Sequence, residues 1–155
     1  MGSGYFISCT ECDYNESMLL GQGMAYCYGS LNALPKRTLR KVRALEKIHG
    51  EAFLNCLERR AYRCPRCEGI DSRDWFEVQF EDLKIYSGSF RCSKCRVKLE
   101  DITRLIDPKM SKPLKRPFDF NTPHIQEEKV KPLKKLRCPK CKNPELLIMD
   151  GICWD

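Results

Sequence analysis

The sequence predicts a small α+β fold that is stabilised by bound metal more than by a large apolar core. Eleven of the 155 residues are cysteines and only two are histidines. Eight of these cysteines form four Cys-x-x-Cys pairs, and apolar or aromatic residues precede each pair. One strongly helical segment lies between the first and the second pair. These features predict β-hairpins that bind metal at their tips, with helices packed beside them.

The cysteine pairs favour zinc. They are Cys9 and Cys12, Cys64 and Cys67, Cys92 and Cys95, and Cys138 and Cys141. A Cys-x-x-Cys turn supplies two thiolates from one rigid loop, and zinc takes four ligands at tetrahedral angles. Four pairs therefore predict two zinc ions per chain, with Cys27, Cys56 and Cys153 as non-ligands. Four thiolates leave zinc no open coordination position, so we expect structural sites and no enzymatic activity.

Three pairings of the four Cys-x-x-Cys turns are possible. Cys67 and Cys92 are separated by 24 residues, which is enough for one β-hairpin to run out and back. This spacing favours a nested arrangement, in which the two central pairs share one ion and the two terminal pairs share the other. A sequential arrangement (first with second, third with fourth) and an interleaved one remain open.

The alternative to metal is a secreted disulfide scaffold, which needs an oxidising compartment. The N-terminus has no basic start followed by an apolar run and no cleavage site, so the sequence predicts no signal peptide. It also lacks the myristoylation pattern, because Phe6 stands where serine or threonine is required. No stretch approaches the roughly 18 apolar residues of a membrane span. We therefore expect a cytoplasmic protein without a membrane partner.

Two helices are predicted over residues 35–61, as an insertion in the metal-binding core. Pro35 suits the start of the first helix, and its apolar residues recur at a spacing of three. Gly50 ends this helix, and a second helix with a tighter apolar stripe is expected after it. The two stripes consist of Leu39, Val42 and Leu45 in the first helix, and of Phe53, Cys56, Leu57 and Ala61 in the second.

The chain is divided by composition into three parts. Residues 1–107 form the predicted core, and residues 138–155 form a C-terminal knuckle that completes a metal site with the N-terminal knuckle. Between them, residues 108–137 hold five of the nine prolines, among many lysines. We interpret this stretch as an extended, partly ordered basic linker.

Positive charge is concentrated in two stretches of a chain whose formal net charge is +7. Residues 36–47 hold six cations against one acid, and residues 109–137 hold nine against three. A basic helix and a basic proline-rich segment are typical of a phosphate-binding surface, although a solvated helix face and a soluble linker would have the same composition. The predicted nucleic-acid-binding residues are Lys36, Arg37, Arg40, Lys41, Arg43, Lys47, Lys112, Lys115 and Arg116.

The four motifs CTEC, CPRC, CSKC and CPKC, with the strands that lead into them, resemble the zinc-ribbon superfamily. The resemblance covers about half of the chain and implies zinc-ribbon β-hairpins, here combined with two short helices and the basic linker. The start GYFISCTECDY, followed by GQGM, is similar to small uncharacterised bacterial zinc-ribbon proteins, which carry no established activity to transfer. Zinc ribbons usually have glycine after the second cysteine, where the backbone favours φ > 0. This chain has Asp13, Glu68, Arg96 and Lys142 there.

Two functions follow from these features, and neither involves a small-molecule substrate. The first is a nucleic-acid-binding protein, for which Phe118 and Phe120 are candidate stacking platforms beside the basic residues. The second is a protein–protein adaptor, which would present an apolar patch flanked by the acidic stretch 68–82. A third, minor possibility is a polymerase accessory factor, because the acidic pair Glu81 and Asp82 resembles that of transcript-cleavage zinc ribbons.

Overall fold

The described residues form a small α+β fold, as the sequence predicted, with a mostly antiparallel sheet and two helices, of which only the first lies in the predicted segment 35–61. The computed structural model describes residues 2–23, 30–108, 131–132 and 136–154, with the backbone alone for 131–132 and 152–154. The elements are β1 (Gly2–Cys9), β2 (Asn15–Gly21), a 3-10 turn (Leu31–Ala33), α1 (Lys36–His49), β3 (Phe53–Arg63), β4 (Ile70–Gln79), β5 (Lys84–Tyr86), β6 (Glu100–Asp101), α2 (Thr103–Ile106), β7 (Lys131–Pro132) and β8 (Leu146–Trp154). No helix in these ranges is long and apolar enough to cross a membrane.

The strands form one sheet in the order β5-β4-β3-β2-β1-β8-β7, and β6 pairs with β3. β1 lies between β2 and β8, so the first and last strands are neighbours. β3 and β4 form a long antiparallel hairpin, from Phe53 opposite Gln79 to Arg63 opposite Ile70. Within the described residues, the register of β2 on β3 is one residue pair, Gly21 with Arg59. Two halves of the sheet can therefore be distinguished in the described residues, β1, β2, β8 and β7 on one side of this pair and β3, β4, β5 and β6 on the other.

This topology brings all four Cys-x-x-Cys turns to the same end of the sheet. β1 and β3 are each antiparallel to β2, so they run in the same direction. β1 ends at Cys9, and Cys64 directly follows β3. β8 and β6 run in the opposite direction, and each begins a few residues after a cysteine pair. Two long strands thus end, and two others start, where the thiols are.

Three buried clusters support the two halves of the sheet. The first lies on β1, β2 and β8 and includes Ile7 and Leu146. The second lies between α1 and the β3–β5 strands and includes Val42 and Phe80. The third surrounds the central cysteine pairs and includes Tyr62. The metal-binding turns are thus continuous with apolar packing.

Helix α1 confirms the first predicted helix. Val42 is fully buried against β3–β5, and Leu39 and Leu45 pack beside it, because a spacing of three keeps them on one face. The helix ends at Gly50, whose φ is +79°. A Cβ at this position would lie 2.8 Å from Cδ of Glu81, so the space there also suits glycine.

The second predicted helix is wrong, because residues 53–61 belong to strand β3. The predicted helical insertion 35–61 is therefore helical only to His49. Leu57 and Ala61 are both buried, but a spacing of four is two full repeats of a strand as well as about one turn of a helix. Pairing with β4 along the whole of β3 stabilises the strand.

Little of the predicted linker 108–137 lies within the described residues. Lys131–Pro132 pair with β8, and Leu136 is buried in the cluster that contains Ile7 and Leu146. The end of this stretch is therefore part of the fold. Lys112, Lys115, Arg116, Phe118 and Phe120 lie outside the described residues.

Helix α2 is fixed to β3 through the buried side chain of Thr103. Its Oγ1 accepts a hydrogen bond from the backbone N–H of Ala61 at 2.9 Å, while the N–H of Ile102 donates to the Ala61 carbonyl at 2.9 Å. The next residues reach β1, where the hydroxyl of Tyr5 is hydrogen-bonded to buried Asp107, and burial raises the pKa of Tyr5. α2 thus links the two halves of the sheet.

We expect Thr103→Val to destabilise the protein by about 1–3 kcal/mol, because the buried N–H of Ala61 loses its acceptor while the side-chain volume hardly changes. Thr103→Ser keeps the hydroxyl and is the matched control. Urea unfolding of the metal-loaded protein measures both variants. A valine variant as stable as the serine variant would contradict this role for the hydroxyl.

Candidate metal centres

The eight paired cysteines form two groups of four, and in each group the four sulfur atoms lie within 4.8 Å of one another. The terminal group is Cys9, Cys12, Cys138 and Cys141, and the central group is Cys64, Cys67, Cys92 and Cys95. This is the nested arrangement. The two groups are consistent with zinc-ribbon-like sites, because each is made of two Cys-x-x-Cys turns that face one another.

The sulfur positions fit a tetrahedral ion. The Sγ–Sγ distances are 3.5 Å for Cys9 and Cys141 and 3.6 Å for Cys12 and Cys138. In the central group, Cys67 and Cys92 are 3.8 Å apart. Thiolates that share a tetrahedral zinc, at Zn–S distances of about 2.3 Å, lie about 3.8 Å from one another. Both donor sets are all-sulfur, so both suit a thiophilic divalent cation.

Each turn is preorganised by its own backbone. The N–H of the first cysteine donates to the carbonyl five residues later, at 2.8 to 3.0 Å in all four turns. A further N–H within each turn points at the sulfur of the first cysteine at 3.4 Å. These bonds fix the ligand positions within a short loop. Little conformational freedom remains to be lost when metal binds.

Three turns have a left-handed residue directly after the second cysteine. The φ angles are 64° at Glu68, 59° at Arg96 and 66° at Lys142, and the N–H of each donates to the carbonyl of the first cysteine of its turn. The zinc-ribbon resemblance implies this conformation, although here none of the three is a glycine. Asp13, at the same position of the first turn, does not have a positive φ. The first turn therefore differs from the other three.

The local hydrogen bonds favour the thiolate form at one cysteine in each group. The N–H of Glu11 lowers the pKa of Cys9 to about 7, and the N–H of Cys95 lowers that of Cys92 to about 7. The neighbouring thiol of Cys67, in contrast, raises the pKa of Cys95 to about 12. Four clustered sulfurs cannot all ionise without a cation to compensate their charge. The thiol arrangement therefore suits a bound cation.

The terminal group is also held together by side chains that the sequence analysis missed. Lys140 forms an ion pair with Asp13, which raises the pKa of the lysine and lowers that of the carboxyl. Asn143 Nδ2 donates to Thr10 Oγ1 at 3.0 Å. The members of each pair are more than 120 residues apart, so no local pattern reveals them.

A direct contact links the two groups. Lys142 Nζ donates to the carbonyl of Cys67 at 3.1 Å and to that of Pro139 at 3.2 Å. A cleft of about 340 Å³ lies between the groups, and Lys142, Lys94 and Arg73 are among its lining residues. Cations at this position would offset the negative charge that four thiolates with a divalent ion would carry.

Cys56, the one further cysteine whose side chain is described, belongs to neither group. Cys56 is half-buried on β3 and accepts a hydrogen bond from Gln22 Nε2 at 3.6 Å. Desolvation by burial raises the pKa of the Cys56 thiol. Cys27 and the side chain of Cys153 lie outside the described part of the chain. Within that part, all nine described cysteines are free thiols.

The predicted basic residues of α1 all lie on its exposed surface. Lys36, Arg37, Arg40, Lys41, Arg43 and Lys47 are exposed. Arg43 forms an ion pair with Glu46 at 2.9 Å. The other five make no ion pair with any described residue. The structure therefore presents a row of uncompensated positive charges on the side of α1 away from the sheet.

A scan against protein-family models and searches of curated proteins and of solved structures found no match to this chain. The resemblance to zinc ribbons therefore depends on the cysteine groups and the geometry of their turns.

We expect Arg96→Gly to stabilise the metal-loaded protein by about 1 kcal/mol, because glycine adopts φ near 59° without the strain of a side chain. The side chain of Arg96 makes no hydrogen bond or ion pair with a described residue that would be lost. Lys94→Gly, in the same turn but without a positive φ, is the control and should destabilise by about 0.5–1 kcal/mol. Unfolding in guanidinium measures the free energy of unfolding of both variants. Equal changes in the two variants would contradict backbone strain at Arg96.

Proposed function

We propose that this chain is a two-zinc protein of the cytoplasm, with structural metal sites, that binds nucleic acid through the exposed face of α1. The observation that carries the nucleic-acid part is the row of five uncompensated cations on a helix whose opposite face is anchored in the core. The metal part is supported by two all-sulfur groups with tetrahedral spacing.

Zinc is the proposed ion because four thiolates with tetrahedral geometry are a preferred donor set for zinc in structural sites. Such a site carries about two negative charges and has no open position for water or substrate. The zinc ion in such a site therefore activates neither water nor substrate. It contributes to folding instead, on the order of 10 kcal/mol per site. Free thiols at these positions require a reducing compartment, which is why the proposal includes the cytoplasm.

Elemental analysis of the purified protein should give two zinc ions per chain. Cys92→Ser and Cys138→Ser should each retain one, because a three-thiolate site loses most of its affinity and the two groups share no ligand. Cys56→Ser is the control and should retain both. One zinc in the unmodified protein, iron in place of zinc, or loss of zinc from the control would contradict the assignment.

The exposed face of α1 suits phosphate contacts because five of its six cations make no ion pair with a described residue, whereas Arg43 is paired with Glu46. Nucleic acid that meets this face would release counterions, and this release supplies most of the affinity of sequence-independent binding. Contacts of this kind position a nucleic acid and carry no sequence information. The helix itself is held by Leu39, Val42 and Leu45, so its charged face can change without loss of the fold.

The polymerase-accessory function is not favoured by the position of the acidic pair. Glu81 and Asp82 lie at the tip of the β4–β5 hairpin, but this tip packs on the end of α1. His49 Nδ1 is hydrogen-bonded to the Asp82 carboxylate at 2.9 Å, and Glu81 lies beside Gly50. A metal-holding tip that reaches into another protein would have to project away from its own fold.

We expect the triple variant Arg40→Glu, Lys41→Glu, Lys47→Glu to weaken binding to single- and double-stranded oligonucleotides at least tenfold, and alike for different sequences. Fluorescence anisotropy at about 50 mM salt measures this, where phosphate contacts are least screened. Unmodified protein should lose affinity steeply as salt is raised.

The control has the same change of net charge at exposed residues outside α1 and outside the cysteine turns: Lys84→Glu, Lys98→Glu, Arg104→Glu. It should bind more tightly than the α1 variant. Equal binding by the two triple variants would show that the loss of affinity results from the change in overall charge and not from the position of α1. Absence of binding by the unmodified protein at low salt would refute the nucleic-acid proposal and favour the adaptor.

A further inference from the structure

The two cysteine groups differ in how far solvent reaches their sulfur atoms. In the central group, Cys64 and Cys92 are buried and the other two cysteines are half-buried. In the terminal group only Cys138 is buried, and Cys141 is exposed. Cys141 is the one exposed residue among the eight paired cysteines, all of which the structure describes. Because oxidation of a thiolate depends on access to its sulfur, the two groups should differ in reactivity.

Apolar packing accounts for the protection of the central group. Tyr62 and Leu99 are buried beside it, and Phe90 packs edge to face on Tyr62 with ring centroids 4.9 Å apart. The terminal group contacts the cluster on β1, β2 and β8, and Cys138 is fully buried there. Cys141 is not part of that cluster. An oxidant in solution therefore meets the terminal group first, at Cys141.

Cys141 has a second sulfur within reach. Cys9 Sγ, at the end of β1, lies 3.5 Å from Cys141 Sγ. Cys9 is half-buried, so Cys141 is the more accessible of the two. An accessible thiolate next to a second cysteine is the arrangement of redox-sensing sites, in which the second cysteine resolves the oxidised form of the first as a disulfide.

We propose that the terminal group is a reversible peroxide-sensitive site, in which hydrogen peroxide oxidises Cys141 and Cys9 then forms a disulfide with it. This inference rests on the proposed occupancy of both groups by zinc. In the first step, the Cys141 thiolate attacks one peroxide oxygen, so that an S–O bond forms, the O–O bond breaks and the hydroxide that leaves takes up a proton. In the second step, the Cys9 thiolate attacks the Cys141 sulfur, so that an S–S bond forms, the S–O bond breaks and a second hydroxide takes up a proton. Two thiolates thus lose two electrons, and one peroxide is reduced to two water molecules.

The disulfide would release one metal ion and leave the sheet in place. Only two thiolates remain in the oxidised terminal group, and such a donor set loses most of its affinity for zinc. The chain ends stay joined, because β1 pairs with β8 over most of its length and Lys140 forms an ion pair with Asp13. The central group shares no ligand with the terminal group and keeps its ion.

The test uses the unmodified full chain, after elemental analysis has given its zinc content. Excess hydrogen peroxide is added, and released zinc is followed with a chromophoric chelator. A sample without peroxide shows how much zinc the chelator removes by itself. One zinc ion should be released about tenfold faster than the other, or more, because access limits the oxidation of the central thiolates.

Mass spectrometry identifies the oxidised residues. When the fast phase is complete, the protein is denatured, its remaining thiols are alkylated, and its peptides are analysed. Cys9 and Cys141 should be joined by a disulfide, and the four central cysteines should be alkylated. The circular dichroism of the sheet should be unchanged at this stage, and a thiol reductant with added zinc should restore the second ion.

The matched control replaces the three cysteines outside the two groups and keeps all eight proposed ligands: Cys27→Ser, Cys56→Ser, Cys153→Ser. It should release zinc in the same two phases. Loss of the fast phase in this variant would assign the reaction to one of those three thiols and overturn the proposal.

The other outcomes separate this proposal from the two-zinc proposal. Equal release of both ions, faster oxidation of the central group, or a first disulfide that does not join Cys9 to Cys141 would overturn the peroxide-sensitive site and leave the zinc assignment intact. Loss of the sheet signal during the fast phase would show damage in place of a reversible site, and would overturn it as well. Fewer than two zinc ions before peroxide is added would overturn both proposals.

Discussion

The convergence of eight thiols at one end of the sheet is the constraint on which the other contacts depend. In the described residues, the two halves of the sheet meet at one β2–β3 residue pair, Gly21 with Arg59. The terminal cysteine group joins the end of β1 to the segment before β8, and the central group closes the end of the β3–β4 hairpin. Lys142 then connects the two groups through the carbonyl of Cys67. A chain with a modest apolar core gains stability where these turns meet.

The same convergence orders the surfaces on the two sides of the sheet. A groove on β3 and β4 is lined by Arg60 and Trp75, and also by Pro65 of a central turn and by Phe90, which packs in the cluster around Cys64 and Cys92. This groove is therefore built partly from the surroundings of the central group. α1 lies on the opposite face of β3–β5, away from that groove. The two surfaces also differ in charge, because five cations of α1 make no ion pair with a described residue, while Arg60 in the groove is paired with Glu58 and Asp101. One sheet thus separates two surfaces of different chemistry.

Local patterns in the sequence were sufficient for the ligand turns and for α1. A Cys-x-x-Cys turn is complete within a few residues, and a loop of 24 residues between Cys67 and Cys92 limits which turns can meet. The helix after Pro35 is amphipathic at a spacing that no strand has. The helix predicted over residues 53–61 was wrong because the apolar residues there recur at a spacing of four, which fits both the period of a helix and that of a strand. Pairing with β4 decides between them, and that information lies more than ten residues away.

The remaining features depend on contacts that a single sequence does not reveal. Thr103 has no helical or strand signal that connects it with Ala61, and Arg60 meets Trp75 only through the register of β3 on β4. The three residues with a left-handed backbone could be predicted in part. The position after the second cysteine is where zinc ribbons turn, and Glu68, Arg96 and Lys142 follow that geometry without being glycine. Here the turn overrides the intrinsic preference of the residue.

X-ray absorption at the zinc edge of the purified full-length protein tests most directly whether two tetrathiolate zinc sites hold the fold. The account predicts a first shell of four sulfur atoms at about 2.3 Å per zinc, with no nitrogen or oxygen. A mean sulfur count below four, or a nitrogen or oxygen ligand in the first shell, would contradict it, because at least one group would then not be the closed structural site described above.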